Sequence, residues 1–506
     1  MWTPDIDGIQ GPLYMRITDA LADDVASGRL PAGTRLPTHR ELAYRLGVTV
    51  GTISRAYAEA DRRGLTIGEV GRGTFVRALS ESPARAVEAA NILPYAYSPE
   101  TKYRLADRQG PHLAEATGTM EAMIPLTRDE SVTRYDESGV RLIDFSLNRP
   151  ASVAHEEALR QGLIELSGAP NIARLLDYTP HRGLPDHREA AAEIVTYLGL
   201  ETNADQIMIT AGAQHAMTLA FATLAGPGET VLTESLTYHG CKALAATLRQ
   251  RLEGVAMDRD GMMPDALDVA ARRTGAKVVY MMPTLQNPTC SIMPDSRRAE
   301  IVDVARQHGL TIIEDDIYGF LSDVKVTSIA DMAPDITVHL SSASKCISPG
   351  LRIGWVRASE HHLARMTGGM RATMWMAPTM QMEIVAQWVH NGTFQNLMEW
   401  QRREAGRRQA VAQTALKGYD IQTQDRSFHM WLHLPDPWRA SEFASAARRR
   451  GVLVTPAGLF TIGRNETPHA VRVCLAAVPS QQDLDDGLAI LSQVLSTPAD
   501  AQLSVV

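Results

Sequence analysis

A chain of 506 residues is too long for one ordinary core and is typical of a small domain joined to a large one. Hydrophobic residues make up 44% and charged residues 21%, which provides ample apolar material and excludes a disordered chain. The net charge of -8 argues against nonspecific coating of nucleic acid, but residues 1–77 contain ten Arg and nine acidic residues, so bulk charge leaves DNA binding open.

Cysteine usage and the amino terminus predict the compartment. The start, MWTPDIDGIQ, lacks the basic and apolar regions of a signal peptide, and no apolar run approaches the about 20 residues that a membrane span needs. The four cysteines are far apart and form no CxxC pair, so neither a metal site nor a disulfide framework is expected. We therefore expect a cytoplasmic protein without a membrane partner.

The first region predicts helices followed by a hairpin. Ile17, Leu21 and Val25 form an apolar stripe of helical period. Thr38 and Glu41 have the spacing of a capping box. The predicted elements are helices over 13–28, 39–46 and about 49–63, and two short strands within 66–76. This order is that of a helix-turn-helix with a wing.

The segment LPTHRELAYRLGVTVGTISRAYAEADRRGLTIGEVGRGTFV resembles the winged helix-turn-helix of the GntR family over nearly its whole length. In such a motif the second paired helix lies in the major groove. Short hydroxyl side chains suit contacts to phosphates or base edges, and arginines supply charge for contacts to the DNA backbone. The alternative is that these arginines are ordinary solvated surface residues. Val50 and Gly51 stand where the family often has a basic or polar side chain. The candidate DNA-binding residues are Arg40, Thr49, Thr52, Ser54, Arg55 and Arg72.

Residues 78–140 are polar, contain scattered prolines and show little periodicity, which indicates a linker, with one short helix between Leu113 and Met123. After Leu142, apolar strand-like runs alternate with helical stretches. That alternation predicts an α/β domain with a mainly parallel sheet. The expected organisation is a DNA-binding domain over 1–77, a linker over 78–140 and an effector domain over 141–506.

The second region carries a candidate site for pyridoxal 5'-phosphate (PLP). This cofactor requires an amine, an acidic partner for its ring nitrogen and donors for its phosphate. Among only six lysines, Lys345 stands out, because it follows the apolar strand ITVHL, where a strand-end loop can place an amine at a ligand crevice. Asp315 ends the strand LTIIED and can hold the ring nitrogen, with Asp316 as the competing candidate.

The remaining cofactor contacts are assigned from residue type and position. Ser342 and Arg352 can bind phosphate, as can the start of the helix at Gly212, Ala213 and Gln214. Tyr318 and Asn287 can hydrogen-bond the ring oxygen, and Tyr238 can stack on the ring. Lys345, Asp315 and Tyr318 are the candidate catalytic residues.

These motifs, in this order, resemble the fold-type I aminotransferases over about residues 142–495, which implies large and small subdomains. The resemblance implies that Tyr178 reaches the phosphate of a neighbouring subunit and that Arg472, in HAVRVCLA, binds a substrate carboxylate. Cys290 replaces the glycine that commonly follows NPT in this family.

Both halves together resemble the MocR subfamily of GntR regulators. The resemblance implies a homodimer, either domain-swapped or compact. In it the aminotransferase-like domain senses a small amino compound by aldimine exchange, and the winged helix-turn-helix, called the reader below, binds operator DNA. The alternative is an active PLP-dependent aminotransferase with a regulatory DNA-binding domain, because no catalytic residue is missing. A third interpretation is a site that has lost PLP and only stabilises the dimer.

Overall fold

The computed structural model describes residues 2–6, 12–31, 33–62, 65–69, 73–76, 134–135, 141–151, 155–463 and 466–496. The chain divides into two compact units, Met1–Met123 and Ile124–Val506. Arg72, most of the predicted linker and the helix expected between Leu113 and Met123 lie outside the described residues. Among the described helices, none has the length and apolar content to cross a membrane.

The first unit has the predicted order of elements: α1 (Leu13–Ala26), α2 (His39–Leu46), α3 (Val50–Arg62), β1 (Thr66–Glu69) and β2 (Gly73–Val76). Ile17, Leu42 and Ile53 are buried between the helices. Thr38 and Glu41 form both hydrogen bonds of the predicted capping box, and Gly47 ends α2 in the left-handed region. The two strands pair antiparallel, which confirms the hairpin.

The second unit alternates strands and helices. Its strands are β3 (Arg134–Tyr135), β4 (Arg141–Asp144), β5 (Ile207–Thr210), β6 (Thr230–Glu234), β7 (Arg251–Val255), β8 (Met257–Asp258), β9 (Gly261–Met262), β10 (Val278–Met281), β11 (Thr311–Asp315), β12 (Thr337–Ser342), β13 (Gly354–Arg357), β14 (Ile421–Gln422), β15 (His429–His433), β16 (Val452–Leu453), β17 (Thr455–Pro456) and β18 (Ala470–Cys474). Its helices are α4 (His155–Ser167), α5 (Pro185–Tyr197), α6 (Ala213–Leu224), α7 (His239–Thr247), α8 (Pro264–Thr274), α9 (Asp295–His308), α10 (Ile329–Met332), α11 (Ala343–Cys346), α12 (Glu360–Thr373), α13 (Thr379–His390), α14 (Thr393–Ala415), α15 (Ala440–Arg449) and α16 (Gln481–Ser496).

A seven-stranded sheet forms the centre of the larger subdomain, in the order β5-β13-β12-β11-β10-β6-β7. Its neighbouring strands pair in parallel except at β13, which is antiparallel to both of its neighbours. The interior strands β10, β12 and β13 are buried along their whole length, as expected for a sheet covered by helices on both faces. The predicted mainly parallel sheet is therefore confirmed.

The smaller subdomain packs α14, α15 and α16 against a four-stranded sheet of order β14-β15-β18-β17. A second sheet of order β16-β4-β3 adjoins it. Strand β3 lies inside the stretch that the sequence predicts as linker, and it pairs with β4 through Arg134 opposite Leu142. A two-residue strand has no periodicity to read, which is why the sequence pattern missed it.

The cysteines show two local features. The four cysteines are buried and form no disulfide. Cys290 has φ of 61°, so its backbone adopts the left-handed conformation that a glycine at this position would adopt without strain. The turn after Asn287 is thus retained despite the substitution, and Cys290 Sγ lies 3.2 Å from the carbonyl oxygen of His429.

Candidate functional site

The candidate cofactor residues gather at one edge of the seven-stranded sheet. Asp315 is the last residue of β11, Lys345 lies in the short helix after β12, and Gly212 follows β5. Asn287 and Tyr238 follow β10 and β6. Ligands of open α/β sheets bind outside the carboxyl ends of the strands. The topology therefore brings together residues that are more than 130 positions apart.

Lys345 places its amine close to this edge. Its Nζ donates to the backbone carbonyl of Asn148 and lies 5.6 Å from the centre of the Tyr318 ring. Burial and the charge of Arg472 lower the pKa of Lys345 to about 8. About a tenth of the amine is thus uncharged at pH 7, far more than for a lysine in water, and the uncharged amine is the nucleophilic form.

The two aspartates of the doublet point to different partners. Tyr280 Oη donates to Asp315 Oδ2 over 2.7 Å, whereas Asp316 Oδ2 lies 3.4 Å from His339 Nε2. Asp316 and His339 line a cavity of about 650 Å³ that neither Asp315 nor Lys345 borders. Burial raises the pKa of Asp315 to about 6, despite the hydrogen bond from Tyr280. The geometry favours Asp315 as the partner of a ring nitrogen.

A candidate phosphate cradle lies at the start of α6. Gly212 precedes the helix with φ of 87°, and a Cβ built on it would lie 2.7 Å from Arg352 Nη2. Arg352 donates to the carbonyl of Ala211 and is exposed. Ser342 is buried and its hydroxyl accepts from the backbone of Ser344. Backbone amides at a helix start beside a guanidinium form an anion site.

Other predicted residues surround this cradle. Tyr238 Oη donates to Gln214 Oε1 over 3.3 Å, which brings the predicted stacking ring to the start of α6, next to Ala213. Tyr318 and Asn287 are buried. Tyr178, by contrast, is 80% exposed, with its ring 5.8 Å from that of Trp375.

Arg472 approaches the same region from β18. Its Nη1 donates to Asn287 Oδ1 and its Nη2 to the carbonyl of Ser146, each over 2.8 Å. The guanidinium also lies 4.8 Å from the centre of the Phe460 ring. Arg472 is buried, and its Nε has no hydrogen-bond partner. A buried guanidinium with an unused donor and no carboxylate among its described partners suits an anionic group of a ligand.

Sequence reasoning missed three residues of this site. Tyr280 lies within an apolar strand, where its hydroxyl carries no sequence signal. Asn148 follows β4, and His429 begins β15; Asn148 Nδ2 donates to His429 Nδ1 over 3.0 Å. Because 281 residues separate these two, no local pattern could have paired them.

The first unit presents a candidate DNA-binding surface. Arg40 and Arg55 are exposed. The hydroxyls of Thr49 and Thr52 lie 2.9 Å apart, which leaves both near the start of α3. Ser54 Oγ lies 3.0 Å from His39 Nδ1, so its hydroxyl already has a partner within the unit.

A cavity of about 450 Å³ adjoins this surface between the start of α2 and β2. Arg35, His39, Arg40 and Thr74 are among the residues that line it. The sequence did not predict Arg35 and His39 as DNA-binding residues. Arg35 precedes α2 and His39 begins it, and strand β2 of the wing approaches them only in the folded unit. The charge of Arg35 suits the DNA backbone.

The fold and site define a winged helix-turn-helix joined to a PLP-dependent transferase domain of fold-type I. Residues 142–491 match the family of class I and II aminotransferases, and the chain belongs to that family. Residues 13–76 match the bacterial regulatory proteins of the gntR family. The presence of both in one chain confirms the predicted resemblance to MocR-type regulators.

Relatives with the same combination match almost end to end. The chain is 28% identical to the uncharacterized HTH-type transcriptional regulator YdeF of Bacillus subtilis, over 98% of this chain and 96% of the relative. It is 25% identical to the HTH-type transcriptional regulator TauR of Rhodobacter capsulatus, over 96% and 97%. An archaeal alanine:glyoxylate aminotransferase structure is 24% identical, with a TM-score of 0.65 over 71% of this chain and 92% of that one, and shows the fold.

The residues present fit PLP, the cofactor of this family. A lysine with a lowered pKa, a buried carboxylate and an anion cradle beside a guanidinium meet the three needs of amine, ring nitrogen and phosphate. The carboxylate of Asp315 has no cation among its described hydrogen-bond partners, and a protonated ring nitrogen would offset the cost of its burial. Lys345, Asp315 and the start of α6 would hold the group.

Proposed function

We propose that this protein is a PLP-dependent, DNA-binding transcription regulator that responds to a small amino compound. The observation that carries the proposal is the presence, in one chain, of a GntR-type reader and a site in which Lys345, Asp315 and Arg472 converge. The regulator names of relatives that match over nearly the whole chain support it. In this proposal residues 1–77 bind DNA, residues 78–140 link the two domains, and residues 141–506 bind the effector.

When bound, PLP supplies an aldehyde carbon that an amine can attack and a ring that withdraws electrons. Lys345 provides the competing amine, and its lowered pKa keeps part of it uncharged. Asp315 holds the proton of the ring nitrogen, with Tyr280 fixing the carboxylate. Arg472 binds the acid group of the effector as a bidentate fork, with Asn287 and Ser146 orienting it.

A homodimer is part of the proposal. Apolar side chains are exposed on α4, on α13 and in the segments before α5 and α13, and the last of these segments contacts the Tyr178 ring through Trp375. The exposed residues are Leu163, Ile164, Leu176, Trp375 and Met380. Exposed apolar groups of this size are typical of protein interfaces. A second copy covering them would carry Tyr178 toward the phosphate cradle of its partner and present two readers to a symmetric operator.

An effector titration tests the proposal. Amino compounds with an acid group are added to the full-length protein while cofactor absorption and operator affinity are followed together. A ligand shifts a conformation only by its different affinity for the two states, so both signals must change at the same concentration.

Arg472→Lys keeps the charge but loses the fork, and it should weaken the effector response by about tenfold or more while basal DNA binding stays unchanged. A response equal to that of the parent would show that the acid group binds elsewhere. Operator affinity that changes with PLP alone would make the protein a cofactor sensor instead.

An aminotransferase is the second candidate, and one observation favours it: the amine, acid and guanidinium needed for turnover are all in place. The relatives include the 2-aminoadipate transaminase of Thermus thermophilus, 25% identical over 56% of this chain. Formation of an oxo acid by the purified full-length protein, abolished in Lys345→Ala, would establish it.

A further inference from the structure

We infer that Asn148 and His429 are positioning residues that hold the amine of Lys345. The inference rests on the proposed attachment of PLP at Lys345 and adds the residues that prepare the amine. Asn148 is the link, because its backbone carbonyl accepts from Lys345 Nζ while its side chain is held by His429.

The segment that carries Asn148 is fixed at its other end. Ser146 donates from its amide and its hydroxyl to Asp144 Oδ1, over 2.8 and 2.6 Å. The carbonyl of Phe145 accepts from the amide of Cys474 over 2.8 Å. The hydrogen bond to His429 is thus the side-chain contact that fixes the far end of the segment, next to Lys345.

His429 is suited to this role because it stays neutral. It is fully buried, and burial together with the charge of Arg472 lowers its pKa to about 3. Nδ1 is therefore available to accept from Asn148 Nδ2 throughout the pH range in which Lys345 titrates. Its own ring does not add a charge that would alter the amine during that titration.

The amine of Lys345 is surrounded by groups of both signs. Burial and the charge of Arg472 disfavour its charged form, whereas Cys474 and Asp315 favour it. The groups that face it are Asp315 from β11, Tyr318 after β11, Arg472 and Cys474 from β18, His239 from α7 and His429 from β15. A hydrogen bond donated to the carbonyl of Asn148 adds to the groups that favour the ammonium. Displacing this carbonyl should lower the pKa of Lys345.

Capture of PLP by the cofactor-free full-length protein tests the inference. The rate is measured from pH 6 to pH 10 by absorbance, and the attachment point is mapped after borohydride trapping. Because capture needs the uncharged amine, its midpoint reports the pKa of Lys345. In His429→Ala and Asn148→Ala the midpoint should fall by about half to one pH unit. His429→Gln retains an acceptor and should restore the parent midpoint.

His433→Ala is the matched control, since His433 ends the same strand and should leave the midpoint unchanged. A parent midpoint in both alanine variants would overturn the inference, as would a shift in His429→Gln as large as in His429→Ala. If His429→Ala does not fold, Asn148→Ala decides alone. A parent protein that fails to attach PLP at Lys345 would instead refute the proposed function.

Discussion

Asp315→Asn should stabilise the cofactor-free protein while weakening cofactor binding. Burial raises the pKa of Asp315 from 3.8 to about 6. A carboxyl whose pKa is raised on folding costs nothing at low pH, because it is protonated in both states. The cost grows as pH rises from about 4 to 6 and is constant above. At about 1.4 kcal/mol per pH unit, the cost reaches about 3 kcal/mol at pH 7.

The amide of asparagine has the same shape, and its oxygen can still accept the hydrogen bond from Tyr280. Its nitrogen replaces the oxygen that accepts from the Ile317 amide over 3.4 Å, so the substitution removes the charge together with this long hydrogen bond. We expect Asp315→Asn to raise the free energy of unfolding by about 2 to 3 kcal/mol at pH 7, and by under about 1 kcal/mol near pH 4. The affinity for PLP should fall, because the ring nitrogen loses its carboxylate partner.

Urea unfolding of the cofactor-free full-length protein at pH 4, 5.5 and 7 measures this difference, with the transition of the larger domain followed by tryptophan fluorescence. Asp316→Asn is the control, since Asp316 pairs with His339 and should give no comparable gain. A stabilisation that is absent at pH 7, or equal at all three pH values, would refute the assignment of a buried charge to Asp315.

Further substitutions test the other parts of the protein. Lys345→Ala should abolish the borohydride-trapped cofactor, whereas Lys417→Ala, at an exposed lysine, should retain it. Arg40→Ala and Arg55→Ala should each weaken binding to all DNA sequences about equally and lower the salt slope by about 1, as measured by operator titration at several salt concentrations. Thr38→Ala removes the capping box and should cost the DNA-binding unit about 1 kcal/mol in thermal or denaturant unfolding.

Much of the candidate site was within reach of sequence reasoning because its signals are local. Lys345 stood out by its position after an apolar strand and by the scarcity of lysine. The start of α6 at Gly212 could be placed from a strand followed by a glycine. These features depend on neighbours within a few residues, where backbone geometry is set by residue type.

The amino-acid sequence by itself determined the order of elements in the first unit, the alternation of strands and helices in the second, the capped helix at Thr38 and the identity of the candidate lysine. Tertiary structure alone gave Asp315 and Asp316 different partners, because adjacent residues at a strand end face opposite sides of a sheet and only packing shows what each side meets. It also paired Tyr280 with Asp315 and His429 with Asn148. Such contacts join residues distant in sequence, and their hydrogen bonds exist only once the sheet and the smaller subdomain have brought the groups together.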